Sequence, residues 1–423
     1  MRVFSTKYPN VVANFEGHTY YFQDGVCEIP DGIAVKFTQS NPSYKIDKES
    51  IPVSNFLHFD PASWKDNKKI IWDGPIGYNN GYGKASMMAI EGVAKHSDLY
   101  VVNSKWIGSL SVFLRPELEK IMERSTDKID AFYIKFFPAF EFTERVAERY
   151  IGYTMLECSR IPQSWVNNIN RNCERVIVPS EHQKKAFEDS GVKTDVKVIP
   201  LGLIPEMFPY LEPNTDGDLV FGTMGTLTYR KGTDLLVKAF LTAFPKKKYP
   251  NVKLVLKQLG PLNWFLDRDT LINDGRIILL TESMSPDDLI KKFFSSIDCF
   301  VFPTHGEGMG LPVMEAMACG KPVIVTDYSA PHEFINDKIA YPLNYKEVLV
   351  PPNDKGGYPI ELQAEGQMWA DADLDHLIAL MLEVYNDRAK ANAKGKKAAS
   401  YIRENLNIDL MGKRLVEYLD SKF

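Results

Sequence analysis

From residue 70 onward, apolar runs of strand length alternate with segments of helical period, and no other feature of this chain constrains its fold as tightly. KIIWDGPI, LYVVN, DAFYIKFFP, RYIGYTMLE, ERVIVPS and VKVIPLG read as one series of strands. LVFGTMG, VKLVLKQ, GRIILLT, DCFVFPT and KPVIVTD read as a second. Buried strands separated by helical segments pack as a parallel sheet with helices on both faces. PSEHQKKAFEDSG illustrates the helices: Ser180 is the expected N-cap and Gly191 the stop signal. Between the two series, GLIPEMFPYLEPNTDGD carries three prolines among turn residues and reads as a hinge. The expected organisation is therefore an α/β domain over 70–205 and a second over 206–404.

Residues 1–69 have a different rhythm. VVANFEGHTYYFQDGVCEIP alternates apolar and polar residues around turn signals and reads as a β-hairpin module. An irregular extension packed on the main body accounts for it equally well. KDNKK (65–69) reads as a solvated junction. The net charge of −5 contains no basic block, which argues against holding nucleic acid mainly through its phosphates; a local groove stays open. Five cysteines (Cys27, Cys158, Cys173, Cys299, Cys319) lack CxxC spacing and read as free thiols of a reducing, cytoplasmic compartment. The first residues lack the apolar core of a signal peptide, and no run of about 18 apolar residues predicts a membrane span.

Two turns carry candidate chemistry. In FGTMGTLTYRKGTDLLVKAF a strand ends in glycines, including Gly225, a loop carries Arg230 and Lys231, and a helix begins near Thr233. Free amides at a helix start beside cations suit phosphate groups. Lys257, closing the next strand, is a further cation at the same sheet edge, where open α/β sheets bind ligands. In DCFVFPTHGEGMGLPVMEAMAC a strand, a glycine turn and a helix from Leu311 follow one another. Gly308 and Gly310 let backbone amides approach an anion. Glu307 on the turn and Glu315 on the helix are expected to face the same crevice, which suits a ligand bearing both phosphates and hydroxyls. His305, beside Glu307, is expected in the cleft, whereas His96, His182 and His376 are expected on exposed helix surfaces. Glu157 and Arg160, in YTMLECSRIP, close a strand of the first domain and are the polar candidates facing the cleft from that side.

EGMGLPVMEAMACGKPVIV strongly resembles the E-x7-E motif of the GT4 family of retaining glycosyltransferases. RKGTDLLVKAF, SPDDLIKKFFSSIDCFVFPT and GQMWADADLDHLIALM resemble the flanking segments, and GYTMLECSRIPQSWVNNINRNCERVIVPSEHQ resembles the N-terminal half of a subset. The resemblance spans about residues 70–423 and leaves out 1–69. It implies the GT-B fold: two doubly wound, Rossmann-like domains facing across a cleft, here with a small β-rich extension, and a last helix (about 405–423) crossing back to the first domain. It implies a nucleotide-sugar donor, a UDP- or GDP-sugar, on the second domain. Arg230 and Lys231 would hold the diphosphate, and Glu315 the ribose. Glu307 and the amides of Gly308, Met309, Gly310 and Leu311 would meet the donor sugar and distal phosphate. Ser283 and Met284 would lie near the base, and Gly81 and Gly83 of GYNNGYG would approach the diphosphate from the other domain. One departure stands out: the family's Gly-Arg-Leu after the first strand of this domain reads Gly225-Thr226-Leu227, which moves the cation to Arg230 or Lys257.

No metal and no cofactor are expected. DGD (216–218) and DAD (371–373) have DxD spacing but fall in predicted loops or caps away from the cleft. The acceptor is left open among glycan, lipid, protein and modified DNA base. Three other readings compete: a sugar-nucleotide- or glycan-binding protein without catalysis, another GT-B enzyme such as an epimerase or phosphorylase, and a viral enzyme glycosylating a hydroxymethylated pyrimidine in DNA. The last rests on a loose likeness of residues 1–69 to bacteriophage segments.

Overall fold

The computed structural model describes residues 68–77, 81–102, 121, 130–214, 217–258, 274–282, 284–353, 358 and 362–420, together with the backbone of five short strands before them. Among those five, β2 (Val11–Phe15) and β3 (His18–Phe22) form an antiparallel hairpin with Val11 opposite Phe22. β1 (Arg2–Ser5) lies between β4 (Val26–Glu28) and β5 (Tyr44–Ile46), antiparallel to both.

The first large sheet holds β6 (Lys69–Asp73), β7 (Asp98–Val102), β8 (Phe132–Phe136), β9 (Tyr150–Tyr153), β10 (Arg175–Val178) and β11 (Asp195–Val198). Its order is β11-β10-β9-β8-β6-β7, all parallel. The second holds β12 (Leu219–Gly225), β13 (Val252–Gln258), β14 (Ile277–Leu280), β15 (Cys299–Phe302), β16 (Val323–Thr326) and β17 (Tyr341–Leu343). Its order is β14-β13-β12-β15-β16-β17, again all parallel. Every residue of β9, β10, β15 and β16 is buried, as the unbroken apolar runs require, whereas the edge strand β7 alternates buried and half-buried positions. The doubly wound, two-domain fold expected from the sequence is present. In the second sheet the chain reverses direction of travel between β12 and β15, which opens a crevice at their carboxyl ends.

The helices that matter here are α1 (Gly81–Ala94), α2 (Gln163–Asn172) and α3 (Glu181–Asp189) on the first sheet, and α4 (Thr233–Ala243) and α5 (Leu311–Ala318) on the second. The Ser180 hydroxyl accepts from the Gln183 amide, so the expected cap of α3 is made. An antiparallel hairpin, β18 (Tyr345–Leu349) with β19 (Met368–Ala372), follows β17. Then come α6 (Leu374–Asn386), α7 (Arg388–Asn405) and α8 (Ile408–Asp420).

Three ties join the domains. At the hinge, the Leu203 amide donates to the Leu406 carbonyl and the Ile408 amide to the Leu203 carbonyl, so both crossings of the chain lie side by side. α8 then lies along α1 of the first domain, and the Tyr418 hydroxyl donates to Asp195 at 2.8 Å. The third tie had no expectation behind it. The β18–β19 hairpin reaches onto the first domain, where Met368 exchanges bonds with Ser159 through N–H and carbonyl, and Gln367 donates to the Arg160 carbonyl. Trp369 is buried there among first-domain residues.

Several expectations need correction. GYNNGYG reads in the sequence as a glycine-rich loop, but α1 begins at Gly81, so Gly81 and Gly83 lie in its first turn. A Cβ on Gly83 would meet the Gly77 backbone at 2.5 Å, so this glycine serves close packing of the helix on its own domain. Asp371 lies in β19 and pairs with Lys346, while Asp373 caps α6. Asp218 pairs with Lys253, and Asp216 lies outside the described residues. His96, His182 and His376 are half-buried, with His96 held by Asp409 and the His182 ring edge-on to Tyr328. Cys158, Cys173, Cys299 and Cys319 are free, as expected, and all four are buried.

Candidate active site

The two turns singled out in the sequence meet at the carboxyl ends of β12 and β15. The chain leaves β12 at Gly225 and makes a single helical turn, Tyr229–Lys231, before α4. After β15, residues 303–310 lead into α5, whose N-cap is Gly310 with φ 82°. An L side chain is strained at that angle, so a glycine stands where the helix must start. Pro312 in the first turn costs nothing, because that N–H has no intrahelical partner.

Glu307 is the centre of this arrangement. Its Oε1 accepts from Lys231 Nζ at 2.6 Å, Thr304 Oγ1 at 2.9 Å and Arg230 Nη1 at 3.1 Å. Arg230 also donates to the Gly306 carbonyl at 2.5 Å and lies 3.3 Å from Glu157 across the cleft. The Glu307 amide donates to the Ser329 hydroxyl at 2.9 Å. Ser329 is the one non-glycine residue with positive φ, 54°, among the described residues; strain of this kind persists where the surroundings hold it in place.

The electrostatics follow from burial and pairing. Burial alone would raise the Glu307 carboxyl; Lys231 and Arg230, with the bonds from Lys231 and Thr304, overturn this and hold it below its ordinary value. Burial would weaken the Arg230 cation, but Glu157 and Glu307 raise its pKa on balance. Lys231 is lowered by burial and by its neighbour Arg230, against the pull of Glu307. The result is two adjacent cations and a carboxylate that is ionised at neutral pH, at a crevice that the second domain's helix α5 enters by its N-terminus.

Glu315 lies one turn into α5, 1% exposed. Its Oε1 meets Lys84 Nζ of α1 at 2.5 Å, and its Oε2 has no hydrogen-bonding partner among the described residues. Burial pushes this carboxyl up, with Lys84 opposing.

The first domain closes directly on the 306–310 turn. Gln183 Nε2 donates to the Gly308 carbonyl at 2.5 Å, and the Met155 sulfur sits 2.7 Å from where a Gly308 Cβ would be. A Cβ on Gly306 would overlap the Glu157 carbonyl oxygen. Glu157 accepts from the Tyr358 hydroxyl at 2.7 Å.

Of the other expected site residues, Met309 and Leu311 are buried in the core behind the turn. Gly225 faces the Lys231 side chain. Lys257 is buried, and its ammonium is taken up by the Gln258 and Glu282 carbonyls. The cations that reach Glu307 are Lys231, at 2.6 Å, and Arg230, at 3.1 Å. Met284 is half-buried, and Ser283 lies outside the described residues. Arg160 is exposed. His305 does not turn to the cleft as expected. Its ring is stacked between Tyr229 and Trp369, at 4.8 and 4.7 Å, and its Nδ1 is paired with the Ala370 carbonyl. Burial lowers its pKa, so the ring is neutral and structural. Sequence reasoning missed Lys84, Gln183, Thr304, Ser329, Tyr358 and Trp369. Of these only Thr304, next to the motif, carried a local signal.

No group of three or more His, Cys, Asp or Glu with metal-holding geometry occurs among the described residues, nor does a helix long and apolar enough to cross a membrane.

Two Rossmann-like domains facing across a cleft, with cations and a helix N-terminus on the second, define a protein of the GT-B class. Residues 218–359 match the family model described as glycosyl transferases group 1, so the resemblance to GT4-like glycosyltransferases holds. An uncharacterized glycosyltransferase of Methanocaldococcus jannaschii is 32% identical over 190 residues, 40% of this chain and 45% of that one. The alpha-monoglucosyldiacylglycerol synthase of Streptococcus pneumoniae is 25% identical over 214 residues, 47% of each. The chain thus spans about half the length of these curated relatives. Among solved structures, Anabaena HepE in complex with UDP and glucose aligns with a TM-score of 0.56 at 17% identity, over 84% of this chain and 100% of that one.

Proposed function

We propose that this chain is a retaining glycosyltransferase that moves a sugar from a UDP- or GDP-sugar to an acceptor hydroxyl without a metal ion. The observation that carries it is the pair Arg230 and Lys231 converging on Glu307 at the mouth of α5. As the bond from the sugar's anomeric carbon to the phosphate oxygen breaks, negative charge grows on the leaving diphosphate. Fixed cations and first-turn amides stabilise that charge without reorganising. Glu315, with one oxygen unpartnered in a buried crevice, suits the ribose hydroxyls. HepE, bound to UDP and glucose, supports the donor class.

Retention is supported by the state of the carboxylates. Glu157, Glu307 and Glu315 are each held by a cation, so none is a free base or nucleophile. Deprotonation of the acceptor then falls to the leaving phosphate: its oxygen takes the acceptor's proton while the acceptor oxygen bonds the anomeric carbon on the same face. The buried free thiols support a reducing compartment, the cytoplasm.

Thermal unfolding against UDP-, GDP-, ADP- and dTDP-sugars tests the reading. A donor at 100 times its Kd is expected to stabilise by about 2.7 kcal/mol. One clear hit identifies the nucleotide; no shift from any of the four, with the protein folded, would leave the reading of a glycan-binding protein without catalysis in its place. With the donor known, EDTA is expected to leave product formation unchanged, since Arg230 and Lys231 carry the charge that a metal would otherwise neutralise. A strict need for added Mg²⁺ would overturn the metal-free mechanism.

A further inference from the structure

We infer that Lys84 of the first domain is a positioning residue for donor recognition: it pins the Glu315 carboxylate of the second domain so that the ribose is read only when the two domains are together. This rests on Glu315 as the ribose partner.

The contact crosses the cleft. Lys84 projects from α1, and its ammonium meets Glu315 Oε1 at 2.5 Å. The Lys84 side chain is only 14% exposed, and its ammonium also lies 5.2 Å from the Phe208 ring in the hinge. Helix α1, the hinge and α5 therefore meet at one cation. A carboxylate with one oxygen fixed has its second oxygen fixed as well. That second oxygen, Oε2, is buried and unpartnered among the described residues, an arrangement that calls for a donor group from a ligand. Ribose hydroxyls are such donors. Burial works against ionising Glu315, and Lys84 opposes it, so removing the ammonium also weakens the carboxylate as an acceptor. Residues that read the diphosphate, Arg230 and Lys231, belong wholly to the second domain and do not touch Lys84. Ribose reading and phosphate reading are thus separable.

The test uses the full chain and titration calorimetry with UDP or GDP, whichever binds, its 2′,3′-dideoxy counterpart, and inorganic pyrophosphate. The wild type is expected to prefer the ribonucleotide by about tenfold or more. Lys84→Met is expected to bring that ratio down to the value of Glu315→Gln, with no further fall in the double variant, and to leave pyrophosphate affinity within about twofold. Lys84→Arg is expected to keep most of the preference and serves if the methionine variant does not fold. A merely structural role for Lys84 would weaken all three ligands together. A wild-type ratio in a folded Lys84→Met would overturn the inference, and so would tighter nucleotide binding, which would make Lys84 a plug that the donor must displace. A wild type that binds the nucleotide without preferring ribose, or a Glu315→Gln that keeps the preference, would remove the reading of Glu315 beneath it. Absence of any nucleotide binding would remove the proposed function itself.

Discussion

Glu307→Ala is expected to lower transfer by about 100-fold or more and to destabilise the protein by about 3 kcal/mol. Both effects have one cause. Three donors converge on Glu307 Oε1, and two of them are cations in a mostly buried site. Without the carboxylate, Lys231 loses its ion-pair partner, and Arg230 keeps Glu157 and the Gly306 carbonyl. Two like charges then face each other and swing apart, and the diphosphate loses its fixed counter-charges. A domain pair of this size withstands a loss of this order, so the variant should fold. The acid dependence gives an independent check. The carboxyl is held below its ordinary value of 4.5, so its stabilising contribution is complete above pH 4.5 and is lost as pH falls through the depressed value. The stability gap between wild type and Glu307→Ala should therefore be widest near pH 7 and narrow below about pH 4. Urea unfolding at both pH values, with product formation at pH 7, measures it. Unchanged turnover would remove Glu307 from the reaction, and a gap that did not narrow in acid would deny the ion-pair cluster its share of the stability.

Gly306→Val should reduce transfer by about 100-fold while both domains stay folded. No Cβ fits at Gly306, because the Glu157 carbonyl oxygen of the opposite domain already occupies that space. A branched side chain there must hold the domains apart by about an ångström, enough to misplace groups contributed from both sides of the cleft. Small-angle scattering should show a more open molecule, with a thermal midpoint close to that of the wild type. Wild-type transfer by this variant would mean that the closed arrangement is not the one that reacts.

Much of this site was legible in the sequence, for reasons that are local. Gly308, Gly310, Pro312 and the two glutamates sit within one turn and one helix start, where spacing alone brings them to a crevice edge. Arg230 and Lys231 follow a strand end by a few residues, and β12 has to deliver them to the same edge as β15. The strand runs revealed both sheets, because a strand buried on two faces has no polar positions to spare. His305 misled for the same local reason: it adjoins Glu307 in sequence, yet its ring is claimed by Tyr229 and Trp369. For Lys257, the end of a strand says nothing about which carbonyls will capture the ammonium.

The sequence by itself determined two parallel α/β domains, the proline-rich segment between them and the composition of the turns that follow β12 and β15. Only the tertiary structure decided which groups oppose them across the cleft. Gln367 reaches Arg160 over 207 positions, Met368 reaches Ser159, and Lys84 reaches Glu315 from the other domain. The physical reason is that hydrophobic period and turn chemistry record how each element is buried, one element at a time. Contacts between domains depend on how two finished sheets are set against each other. Here that setting is made by the paired crossings at Leu203 and Ile408, the packing of α8 on α1, and a hairpin whose reach no local pattern announces.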